Sequence, residues 1–174
     1  MRHSQIRIDN VLIALHLVRR TVGDLSDLAP NVKAYREAWK KAGHEGKGQI
    51  FLRVPVYVAE TEEAAREEPR ESIMHLLRYI GDRLAQSAGA QGTREIENRA
   101  ERGARMLSID YDEVLRERMI VGTPARVIDR VTELQETLGL DGILAELNPG
   151  SRIRHERVMT ALRLLCEEVM PKFK

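Results

Sequence analysis

An α/β fold with parallel strands is what this sequence predicts, and three observations carry it. Residues Thr123 to Gly139 read as one amphipathic helix. Thr123 can cap it, Pro124 costs nothing in its first turn, and Gly139 offers a left-handed stop. Val127, Ile128, Val131, Leu134 and Leu138 recur along it at helical spacing. Next comes a short apolar run, Ile143 to Leu147, bounded by turn residues and too short for a helix. That pattern is a buried strand of the parallel kind. A second helix then starts near Arg154, with Val158, Ala161, Leu162, Leu165 and Val169 on one face, and Pro171 is expected to end it. Helix, strand, helix at this spacing is a piece of an α/β architecture.

Two further strands are readable upstream. Val11 to Leu17, V-L-I-A-L-H-L, is an apolar run of strand length. Gln49 to Glu60 alternates: Leu52, Val54, Val56 and Val58 face one way, and Arg53, Pro55, Tyr57 and Ala59 the other. Between these strands Ser26 or Asp27 can cap a helix that Pro30 helps to start. Val32, Tyr35, Ala38, Trp39 and Ala42 form its stripe, and Gly43 closes it. Three parallel strands are therefore expected, near Val11–Leu17, Gln49–Ala59 and Ile143–Leu147, joined through helices.

Residues 60–119 are far longer than an ordinary strand-to-helix connection. Thr61 caps a first helix with Glu62 and Glu63 in its opening turn, which the helix dipole favours. Pro69 interrupts it near a second start. Ile73, Met74, Leu77, Ile80 and Leu84 then mark another amphipathic helix, and Gly89 to Gly92 read as a link. Thr93 caps a charged helix reaching Met106 or Leu107, whose few apolar residues and interior Gly103 predict a solvated, mobile element. The whole stretch reads as a lid-type helical insertion within one domain spanning residues 1–174.

Composition narrows the function classes. The 174 residues carry 28 basic and 27 acidic side chains, a net charge of +1. No global field invites nucleic acid or an anionic membrane. Aromatic residues make up 4%, too few for a base-stacking platform. No apolar run approaches the ~20 residues that cross a bilayer. The single Cys166 cannot form an internal disulfide, so a reducing, cytoplasmic setting is expected. The run Gly46-Lys47-Gly48 lacks the rest of a P-loop, and the histidines have no metal-ligand spacing.

The ordered set of motifs also carries a family resemblance. The set begins with A-P-N-V-K-A-Y-R-E-A-W-K-K-A-G-H and F-L-R-V-P-V-Y-V-A-E-T. V-G-T-P, L-G-L-D-G-I-L-A-E-L-N, H-E-R-V and L-C-E-E-V-M-P-K-F follow in that order. From about Asp24 onward, the chain resembles the C-terminal part of bacterial-luciferase-like flavin-dependent monooxygenases, a family of luciferase-like oxidoreductases. The resemblance implies a (β/α)8 TIM-type barrel, of which this chain supplies about three strands without closing it. A complete barrel takes about 250 residues. It also implies reduced FMN or a deazaflavin as cofactor and a small-molecule substrate. Much of the flavin contact is expected from earlier strands, so activity of residues 1–174 alone is doubtful.

Candidate site residues follow from barrel logic, which puts sites at the C-terminal strand ends. His16 lies at one such end, although a histidine in an apolar run is commonly a hydrogen-bonded core residue. Tyr57 lies near another. Arg53 is a guanidinium within an apolar strand and needs an anionic or carbonyl partner. Relatives acting on anionic substrates use an arginine at a matching position; the alternative partner is a carboxylate such as Glu146. Glu146 and Asn148 can share the inward face of the last strand, binding substrate or satisfying nearby backbone groups. Arg152, Arg154 and His155 stand beside a helix N-terminus that could receive a phosphate. Arg116 and Arg118 could reach the pocket when a lid closes.

Two functional readings result. One is a flavin-dependent oxidoreductase of this class. The other is a non-enzymatic remnant or assembly subunit, which self-associates or completes a barrel with another chain.

Overall fold

The computed structural model describes residues 11–15, 25–87 and 95–173. It is an α/β arrangement around an open parallel sheet. Strand β1 (Val11–Leu15) pairs with the first half of β2 (Gln49–Val58). Strand β4 (Gly142–Glu146) pairs with Phe51 to Pro55 of β2. Because β1 and β4 both engage Phe51, Leu52 and Arg53, they must flank β2 on opposite sides. The three expected strands are therefore neighbours, and all pairs are parallel. Strand β1 ends at Leu15 among the described residues, so the expected extension to His16 and Leu17 lies outside them.

A fourth strand, β3 (Ile120–Gly122), pairs with Val56 to Val58. The sequence predicts no strand in this stretch. Three residues are too few to show an alternation.

The valine face of β2 is the core. Ile50, Leu52, Val54, Val56 and Val58 are all buried. They pack with Leu25 and Val32, with Val127, Leu134 and Leu138, and with Leu164 and Val169. Each such side chain stabilises the fold by about 2 kcal/mol before conformational entropy is counted. Those partners come from the 3-10 turn Leu25–Leu28, α1 (Ala29–Lys41), α6 (Pro124–Leu138) and α7 (His155–Leu164) with its continuation. Arg53 lies on the opposite face of β2. Asp141 fastens the N-terminal ends of β2 and β4: its carboxylate accepts the Ile50 N–H at 2.9 Å, and its own N–H donates to the Ile50 carbonyl.

Helix ends follow the sequence in some places and depart from it in others. Gly139 adopts the left-handed conformation, φ 62° and ψ 41°, and its N–H closes α6 on Gln135. Thr61 caps α2 (Glu62–Glu67) through the Ala64 N–H. Thr123, by contrast, makes no side-chain cap on α6. Its N–H and hydroxyl both donate to the Glu62 carboxylate, because α2 starts close enough to bring that anion to the α6 terminus. Helix α1 is entered through a 3-10 turn, Leu25–Leu28, so Leu28 rather than Ser26 or Asp27 is the capping position. Of the α1 stripe only Val32 is buried. Pro171 does not end the last helix either. After Leu164 the chain widens into a π turn, Leu165–Val169, then tightens into a 3-10 turn, Met170–Phe173. Pro171 lies near the start of that turn, where a missing N–H costs little.

The insertion holds α2, α3 (Arg70–Ser87), α4 (Glu95–Ser108) and α5 (Tyr111–Glu117). It owns a second core of Ile73, Leu77, Ile109, Tyr111, Val114 and Met119. The expectation that the charged helix is a solvated element is corrected on one face. Gly103 and Met106 of α4 are buried, and α4 crosses α3 with backbones in contact at Gly81 and Gly103. A Cβ on Gly103 would lie 2.9 Å from the Gly81 carbonyl oxygen. The interior Gly103 makes this helix look weak in sequence, yet together with Gly81 of α3 it is what allows the helix to dock. Helix α5, unread in the sequence, has its own signal: Asp110 accepts the Glu113 N–H at 2.8 Å.

Candidate functional site

The face of the sheet away from the helix core presents Phe51, Arg53, Pro55 and Tyr57 of β2. Beside them stand Gly142, Leu144 and Glu146 of β4. Arg53 is paired in register with Leu144, and Pro55 with Glu146. Arg53 reaches diagonally to Glu146, and the two form an ion pair. The Arg53 side chain is 49% exposed and that of Glu146 18%. Only one carboxylate oxygen is used: Oε2 of Glu146 is buried with no hydrogen-bond partner. Phe51 covers Gly142 on the neighbouring rung, where a Cβ would crowd the ring at 2.8 Å. The result is a half-open apolar surface with one charged pair at its centre.

The other candidates are placed differently. Asn148 is held within its own loop and also faces the Ser72 hydroxyl of α3, 3.3 Å from its Oδ1. Its Nδ2 donates to the Ile153 carbonyl at 3.3 Å, and its Oδ1 accepts the Ile153 N–H at 3.1 Å. Tyr57 is buried among Ala59, Ala65, Ile153 and Ala161. Its hydroxyl donates to Glu68, and Glu68 also pairs with Arg157 at 3.3 Å. Burial, the hydrogen bond to Glu68 and that carboxylate's charge push the Tyr57 hydroxyl far above the ordinary tyrosine range, against an opposing pull from Arg157. His16 lies outside the described residues.

Arg116 is exposed, whereas Arg118 is buried. Burial, followed by the charge of Arg105, lowers the pKa of Arg118, with Glu117 opposing. Arg152 pairs with Glu71 at 2.9 Å. Arg154 is the capping position of α7 and makes no side-chain cap bond.

Sequence reasoning missed three polar anchors: Glu62, Glu68 and Ser72. Ser72 is buried and bonds to residues about eighty positions away. No local pattern announces a partner at that separation. Two clefts lie elsewhere. One, of about 300 Å³, is apolar and lies between α6, β4 and the C-terminal turns. The other, of about 740 Å³, is lined by α2, α5, β3 and α6 and carries four arginines. Neither is lined by Arg53, Glu146, Asn148 or Tyr57. Among the described residues no cluster of His, Cys, Asp and Glu could hold a metal ion. Nor is any described helix long and apolar enough to cross a membrane.

The comparison with protein families now bears on the fold. The model of the luciferase-like monooxygenase family matches residues 18–141. The chain belongs to that family. Among solved structures it is similar to monooxygenase RslO1 from Streptomyces bottropensis, with a TM-score of 0.62 and 20% identity, over 93% of this chain and 41% of that one. It is also similar to the oxygenating constituent of 3,6-diketocamphane monooxygenase from Pseudomonas putida, in complex with FMN. There the TM-score is 0.61 and the identity 20%, over 92% and 42%. A third is the coenzyme F420-dependent tetrahydromethanopterin reductase from Methanopyrus kandleri, at 0.58 and 20%, over 95% and 46%. The chain thus spans less than half the length of these relatives. No curated protein matches it. The shared fold is the C-terminal portion of a TIM-type barrel, left open by the described strands.

One loop tests whether the residues present fit a flavin phosphate. Residues 148–153 follow β4 and offer backbone N–H groups near a helix start, as such a cradle requires. Three of those donors are already taken. Ser151 N–H bonds the Asn148 carbonyl, Arg152 N–H the Ser72 hydroxyl, and Ile153 N–H the Asn148 side chain. These three donors are therefore not free for a phosphate.

Proposed function

We propose that this chain supplies the substrate-side wall of a flavin-dependent oxidoreductase of the luciferase-like class. The observation that carries the reading is Arg53: a half-exposed guanidinium on the strand face opposite the helix core, oriented by Glu146. That face can hold an anionic or carbonyl group of a small substrate against Arg53, while Phe51 and Leu144 give it an apolar bed. Reduced FMN or a deazaflavin is the implied cofactor, since one similar structure holds FMN and another belongs to an F420-dependent enzyme. When bound, such a cofactor supplies dioxygen activation or hydride transfer. The phosphate and ring contacts are expected from strands other than those described. Glu146, by holding Arg53, fixes where the anion sits. A reducing, cytoplasmic setting suits the single exposed thiol, Cys166.

The test has two stages. Residues 1–174 alone should lose FMN on gel filtration and consume no oxygen with reduced flavin and an aldehyde. Joined with the earlier barrel strands of a luciferase-like relative, the assembly should keep its flavin band. In that assembly Arg53→Met should raise KM for an anionic substrate without changing flavin content. An unchanged KM would remove Arg53 from the substrate side.

A second reading has its own observation. Among the described residues β4 pairs on one side only, and Leu144 beside its free edge is 42% exposed. A chain of this kind serves as an assembly subunit, burying that edge against a second copy or a complementary barrel portion. Light scattering should then give more than the monomer mass. A monomer mass held over a wide concentration range would count against it.

A further inference from the structure

The insertion and the loop after β4 are joined by more than packing. The Ser72 hydroxyl, buried at the start of α3, donates to the Pro149 carbonyl at 2.7 Å and accepts the Arg152 N–H at 3.0 Å. Glu71 reaches Arg152 at 2.9 Å. Glu68, just before α3, holds Arg157 of α7 and the Tyr57 hydroxyl together. Between these bonds the loop backbone runs against α3 itself. Gly150 has φ +90°, and a Cβ there would run into the Ser72 carbonyl. Only glycine allows both the conformation and the approach. Asn148 closes the loop internally on Ile153, so residues 148–153 behave as one stiff unit.

We infer that the root of the insertion is a latch on the β4–α7 loop: residues 68–72 and residues 148–157 move as one body, with Ser72 as its pin. The inference deepens the functional reading above and rests on it, because Glu146 and Arg53 lie next to this loop. Swinging α3 away from the loop would take these partners from the buried Ser72 hydroxyl and the half-buried Pro149 carbonyl, which is the expensive way to move. Carrying the loop along breaks none of these bonds. Helix α3 runs 18 residues and bears α4 on its Gly81 surface, so any displacement of the insertion acts on a long lever. The short arm of that lever ends at Asn148, two residues from Glu146. The position of the insertion is thereby communicated to the Arg53–Glu146 pair.

Amide hydrogen exchange on the 174-residue chain tests the latch without flavin or turnover, so failure of the cofactor reading leaves the experiment intact. In Ser72→Ala, peptides over residues 150–153 and over the first turn of α3 should both exchange about tenfold faster. Peptides of α1 and α6 should keep the parent rate. Unchanged exchange at 150–153, or a rise in only one of the two segments, overturns the latch. Should Ser72→Ala loosen every peptide, Arg152→Ala, which removes only an exposed pair, must still raise exchange in both segments and nowhere else. A rise confined to its own side in that variant also overturns it.

Discussion

Arg53 and Glu146 meet as diagonal neighbours on the parallel ladder, one rung of alternate residues apart, and their ion pair lies on the open face of the β2–β4 sheet. Its strength is set by unequal burial. The Arg53 side chain is 49% exposed; that of Glu146 is 18% exposed, with Oε2 buried and unpartnered. Losing a partner from a fully buried pair costs about 3–5 kcal/mol, and from an exposed pair about 0–1. Arg53→Met should fall between, near ~2 kcal/mol, because Glu146 is left largely buried without its cation. Adding Glu146→Gln should restore most of the loss, since no charge then remains to strand. Denaturant melts of the single and double variants decide it. Equal losses in both would mean that Arg53 stabilises through packing of its stem.

Gly103→Ala sets two effects against each other. Alanine improves helix propensity by about 1 kcal/mol in α4. Its Cβ, however, would meet the Gly81 carbonyl oxygen at 2.9 Å and the Ala85 nitrogen at 3.1 Å, and both are backbone atoms that cannot rotate away. Overpacking costs about 1–3 kcal/mol, so the helix crossing should lose. The expected result is a lower melting midpoint with α3 and α4 peptides exchanging faster. A stabilised variant would show that the two helices separate at little cost.

How much of this was legible depends on the range of the interaction. The valine face of β2 announces itself because alternation is local, and Leu52 to Val58 need no knowledge of what covers them. Gly139 could be read for the same reason: a left-handed helix stop is decided within one turn. Thr123 is the counterexample. Its residue type says cap, but Glu62, sixty-one positions earlier, takes its hydroxyl and N–H. Asn148 likewise read equally well as a ligand or a backbone staple, and the choice depended on where Ile153 lands. The Arg53–Glu146 pairing could be named as an alternative because the strand faces were known. Its exposure could not, since that depends on what stands opposite the sheet.

Glu62 gives a pH prediction for the α6 terminus. Burial alone would raise its carboxyl pKa, but the two hydrogen bonds from Thr123 and then the charge of Arg126 outweigh that and hold it below the ordinary value. A carboxyl depressed in the folded state stabilises fully above its unfolded pKa, about 4.3, and loses that contribution as pH falls through the folded value. Stability should therefore decline on acidification from that point downward, and Glu62→Gln should decline less over the same window. Glu62 is 55% exposed, so the difference should be modest and should shrink in high salt. Matched acid titrations of stability for the two proteins supply the measurement. Parallel curves would mean that Thr123 and Glu62 do not hold each other in solution.

The last prediction concerns the alkaline limb. Tyr111 is pushed up to about 12, first by burial; Arg70 and Arg66 pull the other way, and Glu67 and Asp112 add to the rise. Tyr57 is pushed still higher, again by burial first, with Glu68 adding both a hydrogen bond and a like charge to any phenolate. In the unfolded chain both hydroxyls lose their protons near the ordinary value of about 10. Between that pH and the folded values the native state holds more protons than the unfolded one, so stability must fall as pH rises. Ultraviolet absorbance should show these two phenolates appearing together with loss of structure rather than before it. Tyr57→Phe separates the contributions. It removes a charge-assisted hydrogen bond and should cost about 1.5–3 kcal/mol at neutral pH, yet flatten the alkaline decline. If the variant kept the parent's alkaline slope, the Tyr57 hydroxyl would have to be ionising in the folded protein, and the bond from Tyr57 to Glu68 would not be the contact that ties β2 to α7.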